Sequence, residues 1–240
     1  MAEDLTKIRE QVYRDTRGAE DFTRFHERTR RRGPDWMYQA VRIVLTAYVL
    51  IPFRTHSIDS DKVPASGPVI LAPNHSSFMD HFFAAAFIRR KVQFMAKSQL
   101  FRFPLQFVFN HGGVFPVRRG ARDEDAFITA DAILARGGTI GMYCEGGRSR
   151  TGQLADRAKP GIGRLALESG AMIVPVAILG SVRVRNWRRL QFPKVTIQYG
   201  DPFRYDVVHE PTRDQQRIVA DQILDEIRAL HHSLEERVGA

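Results

Sequence analysis

The segment APNHSSFMDHFF, residues 72–83, sets an imidazole and a carboxylate five positions apart just after an apolar run. An imidazole with one ring nitrogen held by a carboxylate has a fixed tautomer and can take a proton from a hydroxyl through the other nitrogen. Spacing alone does not discriminate, because the chain contains a His followed five positions later by an Asp three times: His56 with Asp61, His75 with Asp80, and His209 with Asp214. In a continuous helix five residues turn the pair about 140° apart, and in a strand they stand about 16 Å apart on opposite faces. The side chains meet only where the chain bends sharply, as between a strand end and a helix start. His75 and Asp80 fit that condition, since PVILAP reads as a strand, DHFFAAAFI as a helix, and Ser76 or Ser77 stands where a helix cap is needed. His56 lies in the polar stretch RTHSIDSD with no strand before it, and His209 sits before a proline next to a surface helix, so both read as solvated loop histidines. For His75 and Asp80 a general base and a structural hydrogen bond both stay open.

A second constellation is YCEGGRSRTG, residues 143–152, where the strand-like TIGMY runs into Glu145, Gly146, Gly147, Arg148, Ser149 and Arg150. Consecutive glycines let backbone N–H groups approach an anion, and guanidinium forks bind phosphate oxygens in pairs. The stretch reads as a phosphate pocket or as a solvent-exposed turn. GGVFPVRRG at 112–120 repeats the idea with Arg118 and Arg119. Other patterns fall away. GIGRLA at 161–166 fits a dinucleotide-binding turn, but no strand precedes it and no acid follows about 20 residues later. Cys144 stands beside Glu145, which raises a thiol pKa, so it reads as packing. There is no G-x-S-x-G elbow for a hydrolytic serine, and no metal-ligand spacing, so no metal site is expected.

The elements that must position these residues follow from the pattern. PVILAP, VQFMA, GVFPV, TIGMY, AMIVPVAIL and VTIQYG are strand-like, and helical runs alternate with them, which predicts an α/β fold: a single domain with a mixed central sheet flanked by helices. The helix opening at Asp123 carries acids in its first turn and a stripe of Phe127, Ala130, Ile133 and Leu134. The last helix opens with Thr212 and Gln215 in capping-box spacing. Residues 1–35 mix charges of both signs and read as a helical or loosely ordered arm separate from the core. From Trp36 to Phe53 runs an apolar stretch interrupted by Gln39 and Arg42, short for a spanning helix. It reads as an N-terminal interfacial helical segment, with RTRRRG upstream suited to anionic headgroups, or as an ordinary buried amphipathic helix.

Over 240 residues, Lys and Arg outnumber Asp and Glu by 36 to 27, a formal charge of +9, so the surface attracts phosphate on nucleic acid, anionic lipid or a small substrate. The basic loop RVRNWRRLQFPK, 183–194, reads either as a contact with a bilayer or nucleic acid or as a solvated basic loop. One cysteine allows no internal disulfide, and the start MAEDLTKIRE lacks the layout of a secretory signal, so a cytoplasmic protein is expected.

Taken in order, these segments resemble the glycerolipid acyltransferase family, typified by 1-acylglycerol-3-phosphate acyltransferases. That family shows the ordered blocks N-H-x-S-x-x-D, G-x-x-F-x-x-R, F-P-E-G-T-R-S and V-P-V. Here stand NHSSFMD at 74–80, GGVFPVR at 112–118, YCEGGRS at 143–149 and VPV at 174–176. Tyr143-Cys144 replaces the usual Phe-Pro, and Gly147 the usual threonine, which puts the acceptor in question rather than the reaction. The resemblance implies that His75, oriented by Asp80, deprotonates an acceptor hydroxyl that attacks an acyl-CoA or acyl-carrier-protein thioester. It implies that Asn74, Ser77, Lys97, Arg118, Glu145, Gly146, Gly147, Arg148 and Ser149 bind the acceptor, lysophosphatidic acid first among candidates. Val174, Pro175 and Val176 are structural or line an acyl channel. No cofactor is implied, the carriers being substrates, and no nucleic acid. The expected organisation is an arm at 1–35, a membrane-interfacial helix at 36–53 and an acyltransferase domain at 54–240. The protein is expected on an anionic membrane surface, peripherally, on the cytoplasmic face.

Overall fold

The computed structural model describes residues 15–118, 123–149, 151–184 and 192–239. Among the described residues, strands β1 (His56–Ile58), β2 (Val69–Pro73), β3 (Val92–Lys97), β4 (Phe115–Val117), β5 (Thr139–Gly141), β6 (Met172–Leu179) and β7 (Thr196–Tyr199) form one sheet in the order β1-β7-β6-β2-β5-β3-β4. Every pairing is parallel except β6 with β7. The sheet is therefore mixed, as the alternation of strand-like and helical runs predicts. Parallel strands are buried on both faces, which is why β2 is VILAP and β6 MIVPVAIL rather than alternating sequences.

The two faces of β2 separate two cores. Ile70 and Ala72 face α5 (Glu124–Ala135), α6 (Gly161–Ser169) and α7 (Arg213–Gly239), where Ile133, Leu134, Ile162, Leu165, Ile223 and Ile227 are fully buried or nearly so. Val69 and Leu71 face the other way, onto α2 (Trp36–Phe53) and α3 (Asp80–Ala86) through Val49, Phe53, Phe83 and Ala84. The capping box of α7 forms as read: Gln215 N–H donates to Thr212 Oγ1, and Thr212 N–H to Gln215 Oε1.

Three expectations need correction. Residues 15–31 do not stand clear of the core. Helix α1 (Thr23–Arg31) packs on α5 and β4, and Phe22 of the short 3₁₀ turn before it (Glu20–Phe22) is buried in one cluster with Phe25 and Phe101. His26 Nδ1 meets Thr129 Oγ1 at 2.9 Å, and Arg17 donates to the Ser98 and Phe101 carbonyls. His56 is not in a loop but opens β1, an edge strand on β7. TIGMY is strand only to Gly141, since Met142 and Tyr143 leave the ladder to enter the glycine turn.

Helix α2 is capped by Asp35, which accepts from Met37 N–H, and it is held to the domain along its length. The Tyr38 hydroxyl accepts from Val92 N–H, Arg42 donates to the Ile88 and Arg89 carbonyls, and Val49 and Phe53 enter the core. Its opposite face is bare: Trp36, Ile43, Val44 and Ile51 are 68, 71, 67 and 76% exposed. By length and composition alone α2 is apolar enough to cross a membrane, with 11% of it buried. Beside it packs α4 (Leu105–His111), and Phe103, Leu105 and Phe107 are exposed there too. Of the upstream basic run, Arg28 pairs with Asp35 and Arg30 with Asp125, so half of it is tied into the domain, while Arg31 and Arg32 face solvent.

Candidate active site

The order of strands reverses around β2. Strands β3, β4 and β5 lie on one side of it, β6, β7 and β1 on the other. Loops leaving the C-terminal ends of parallel strands at such a reversal diverge and leave a crevice. The residues directly after β2 are Asn74 and His75.

Asn74 closes the strand end. Its side-chain amide donates to Ile178 O at 3.1 Å and its carbonyl accepts from Ile178 N–H at 2.7 Å, stitching the loop to β6. Both polar atoms of its side chain are thus engaged within the fold. The chain then turns, and Asp80, fully buried at the first position of α3, points back into the bend. Its Oδ2 accepts from His75 Nδ1 at 3.0 Å and from the backbone N–H groups of Ser76 and Ser77 at 2.7 and 2.6 Å. Neither serine caps α3 by its side chain; the carboxylate gathers their amides instead, and Ser77 Oγ accepts from Met79 N–H. Asp80 Oδ1 has no hydrogen-bond partner among the described residues. With Nδ1 held by a carboxylate, Nε2 is the nitrogen suited to exchange a proton.

The glycine turn comes from the end of β5, the neighbour of β2, and locks onto His75 from the other side. Glu145 Oε1 accepts His75 N–H at 2.7 Å, Oε2 accepts Ala155 N–H at 3.2 Å, and Ser149 N–H donates to His75 O at 2.7 Å. Burial lifts the Glu145 carboxyl above its ordinary value, against the pull of its two N–H donors. Gly146 has φ +69°, and a Cβ there would meet Lys159 Cγ at 2.6 Å, so this position requires glycine. A Cβ placed on Gly147 would meet nothing within 4 Å, which leaves open space where the family carries threonine. Arg148 is exposed, and its charge reaches His81. Ser149 Oγ accepts from Gly152 N–H.

Lys97 and Arg118 sit at the ends of β3 and β4, whose register pairs Lys97 with Val117. Parallel strands bring them to the same sheet edge as His75; the Arg118 backbone N–H donates to Asp123 Oδ2 at 2.6 Å, and its side-chain Nε lies 3.8 Å from the same oxygen. Val174 and Val176 are fully buried in the core on β6, which supports packing for the V-P-V block. Arg119, Arg150 and Trp187 lie outside the described residues. Cys144 is buried, and burial followed by the Glu145 charge pushes its thiol up to about 12, unsuited to a nucleophile.

Two neighbours of His75 are not evident from motif spacing. Tyr143 stacks on the His75 ring, centroids 3.9 Å apart and planes 21° apart. His81 stands edge-on at 5.4 Å, donating from Nδ1 to Phe78 O, with burial and then His75 pressing its pKa down to about 4. The sequence signal for Tyr143 is its place two residues before Glu145; for His81 it is adjacency to Asp80.

The arrangement is a buried imidazole with a carboxylate behind it and a glycine- and arginine-bearing turn in front, on an α/β sheet. The Acyltransferase family profile matches residues 54–179, which covers all of these positions, and the chain belongs to that family. It is 30% identical over 114 residues to a glycerol-3-phosphate acyltransferase of Aeromonas hydrophila, a match covering 44% of this chain and 14% of that protein. The chain thus spans a small part of that relative's length. Its fold is similar to the crystal structure of the 1-acyl-sn-glycerophosphate (LPA) acyltransferase PlsC from Thermotoga maritima, with TM-score 0.62, 20% identity and 80% of each chain covered.

Proposed function

We propose that this protein transfers a fatty acyl group from an acyl-CoA or acyl-carrier-protein thioester to the free hydroxyl of lysophosphatidic acid, forming phosphatidic acid for phospholipid biosynthesis. The observation that carries the reading is the 3.0 Å contact of His75 Nδ1 with Asp80 Oδ2 beside the glycine turn, in a chain of the Acyltransferase family. His75 Nε2 takes the hydroxyl proton as the oxygen attacks the thioester carbonyl. The tetrahedral intermediate then collapses, the C–S bond breaks, and the proton passes from His75 to the departing thiolate. Arg118 and Arg148, with Lys97, bind the acceptor's phosphate. Glu145 and Ser149 hold the turn against His75, and backbone N–H groups near the glycines stabilise the developing oxyanion, where one well-placed donor is worth about 3 kcal/mol.

The substrate is a membrane lipid and the donors are soluble, so the protein works peripherally, on an anionic surface at the cytoplasmic face of the cell membrane. The bare face of α2 supports this, because a helix tied to its domain at start, middle and end, with aromatic and branched residues outward, suits the interface plane. A second reading, glycerol 3-phosphate as acceptor, is favoured by the Aeromonas match and by the open space at Gly147. A panel of acceptors and thioester donors, offered to the purified protein with a labelled acyl chain, separates the two. Phosphatidic acid from lysophosphatidic acid is the expected product; acylation of glycerol 3-phosphate alone favours the second reading, and acylation of a phosphate-free acceptor alone removes both.

A further inference from the structure

We infer that Tyr143 is a positioning residue for His75: its ring face fixes the imidazole plane and stabilises the imidazolium formed when the acceptor's proton arrives. This rests on the proposed acyl transfer with His75 as base. The Asp80 bond holds one atom of the ring, and Tyr143 holds the plane, stacked at 3.9 Å and 21°. Tyr143 is flanked in turn by Phe94, whose ring lies 22° from parallel with its centre 6.3 Å away. Phe94 lies over Gly141, where a Cβ would come within 2.0 Å of its ring; the glycine that ends β5 is what leaves room for Phe94 beside Tyr143. His81 stands edge-on to all three rings, at 5.4, 5.0 and 5.0 Å, and blocks sideways movement.

The Tyr143 hydroxyl is buried with no hydrogen-bond partner among the described residues. Its ring is therefore placed by packing, and the aromatic face rather than the oxygen is what His75 meets. In the transfer step the acceptor's O–H bond breaks, its proton goes to His75 Nε2 and its electron pair to the new O–C bond. The ring becomes a cation lying on an aromatic face in a desolvated site, where such contacts are strongest. The charged and titratable groups around it are Asp80 and His81 from α3, and Glu145 and Arg148 from the glycine turn. His81 is neutral at working pH, so it does not oppose the charge.

The test is the pH dependence of kcat for full-length wild-type protein, Tyr143→Phe, Tyr143→Leu and His75→Ala, with a labelled acyl thioester and the preferred acceptor. Tyr143→Phe keeps the face, and its kcat stays within about twofold with the acid limb unmoved. Tyr143→Leu lowers the plateau about tenfold with KM within about twofold, and its acid limb moves to lower pH by about half a unit or more, because the protonated ring has lost its support. A base merely displaced would lose rate without moving the limb, and a base exposed to water would move it upward; either result overturns the inference. If Tyr143→Leu is too slow to assay, the His75 titration followed by NMR of ¹⁵N-histidine-labelled protein reads the same downward shift without turnover. Should Tyr143→Leu not fold, Tyr143→Met, apolar and ringless, takes its place. Near-normal turnover by His75→Ala is a separate failure, that of the acyl-transfer reading itself.

Discussion

Asp80 holds three N–H donors on one oxygen, the His75 ring and two backbone amides, and so sets both the tautomer of His75 and the shape of the bend. Asp80→Asn should lower kcat at least about a hundredfold, as expected when a general base loses its orienting partner. Asp80→Ala should in addition destabilise the fold, since each stranded buried donor costs about 1–3 kcal/mol; urea denaturation of the two variants separates the effects. Unchanged kcat in Asp80→Asn would remove the orienting role. This pair was legible in the sequence because no regular element lets residues five apart touch, so only a pair at a strand-to-helix turn qualified. Asn74 was legible as a position but not in its partners, because its two bonds go to Ile178, 104 residues away. Tyr143 stood out only as a departure from the family's phenylalanine; that it covers His75 depends on β5 lying beside β2, a pairing no local pattern encodes.

At the scale of elements, α1 shows what a count of apolar residues overlooks. Phe22, Phe25, His26 and Thr29 keep the i, i+3, i+4, i+7 spacing of a buried face, but two of the four are polar and arginines surround them. Phe25→Ala should cost about 3 kcal/mol or more in chemical denaturation, as for other fully buried aromatic truncations; an arm free of the core would show almost none. Strand β1 was missed for another reason, since three residues on an edge carry neither alternation nor an apolar run. Helix α3 brings a pH dependence. The folded-state value of His81 is about 4 against an ordinary 6.5, so the unfolded chain takes the proton first. Stability from His81 is therefore complete above about pH 6.5 and declines as pH falls toward about 4. Comparing denaturation midpoints near neutrality and in mild acid, His81→Asn should lose less stability than wild type; equal losses would place the acid sensitivity elsewhere.

For the whole molecule, the +9 charge and the α/β class were evident from composition and strand-helix alternation, whereas the strand order that places β2 between β5 and β6 was not. The charge predicts attraction to anionic surfaces, and the outward face of α2 predicts insertion. Ile43→Asp with Ile51→Asp, both far exposed, should reduce partitioning onto anionic lipid vesicles at least about tenfold while leaving turnover of a water-soluble short-chain acceptor unchanged. Undiminished vesicle binding would assign the contact to another face. The central claim is that the imidazole at the end of β2 moves the proton in acyl transfer. It is met most directly by measuring thiol release from an acyl thioester, with acceptor present, by folded full-length His75→Ala beside wild type. A fall of at least about a hundredfold with an unchanged melting temperature is the result predicted here; turnover near the wild-type rate would contradict it.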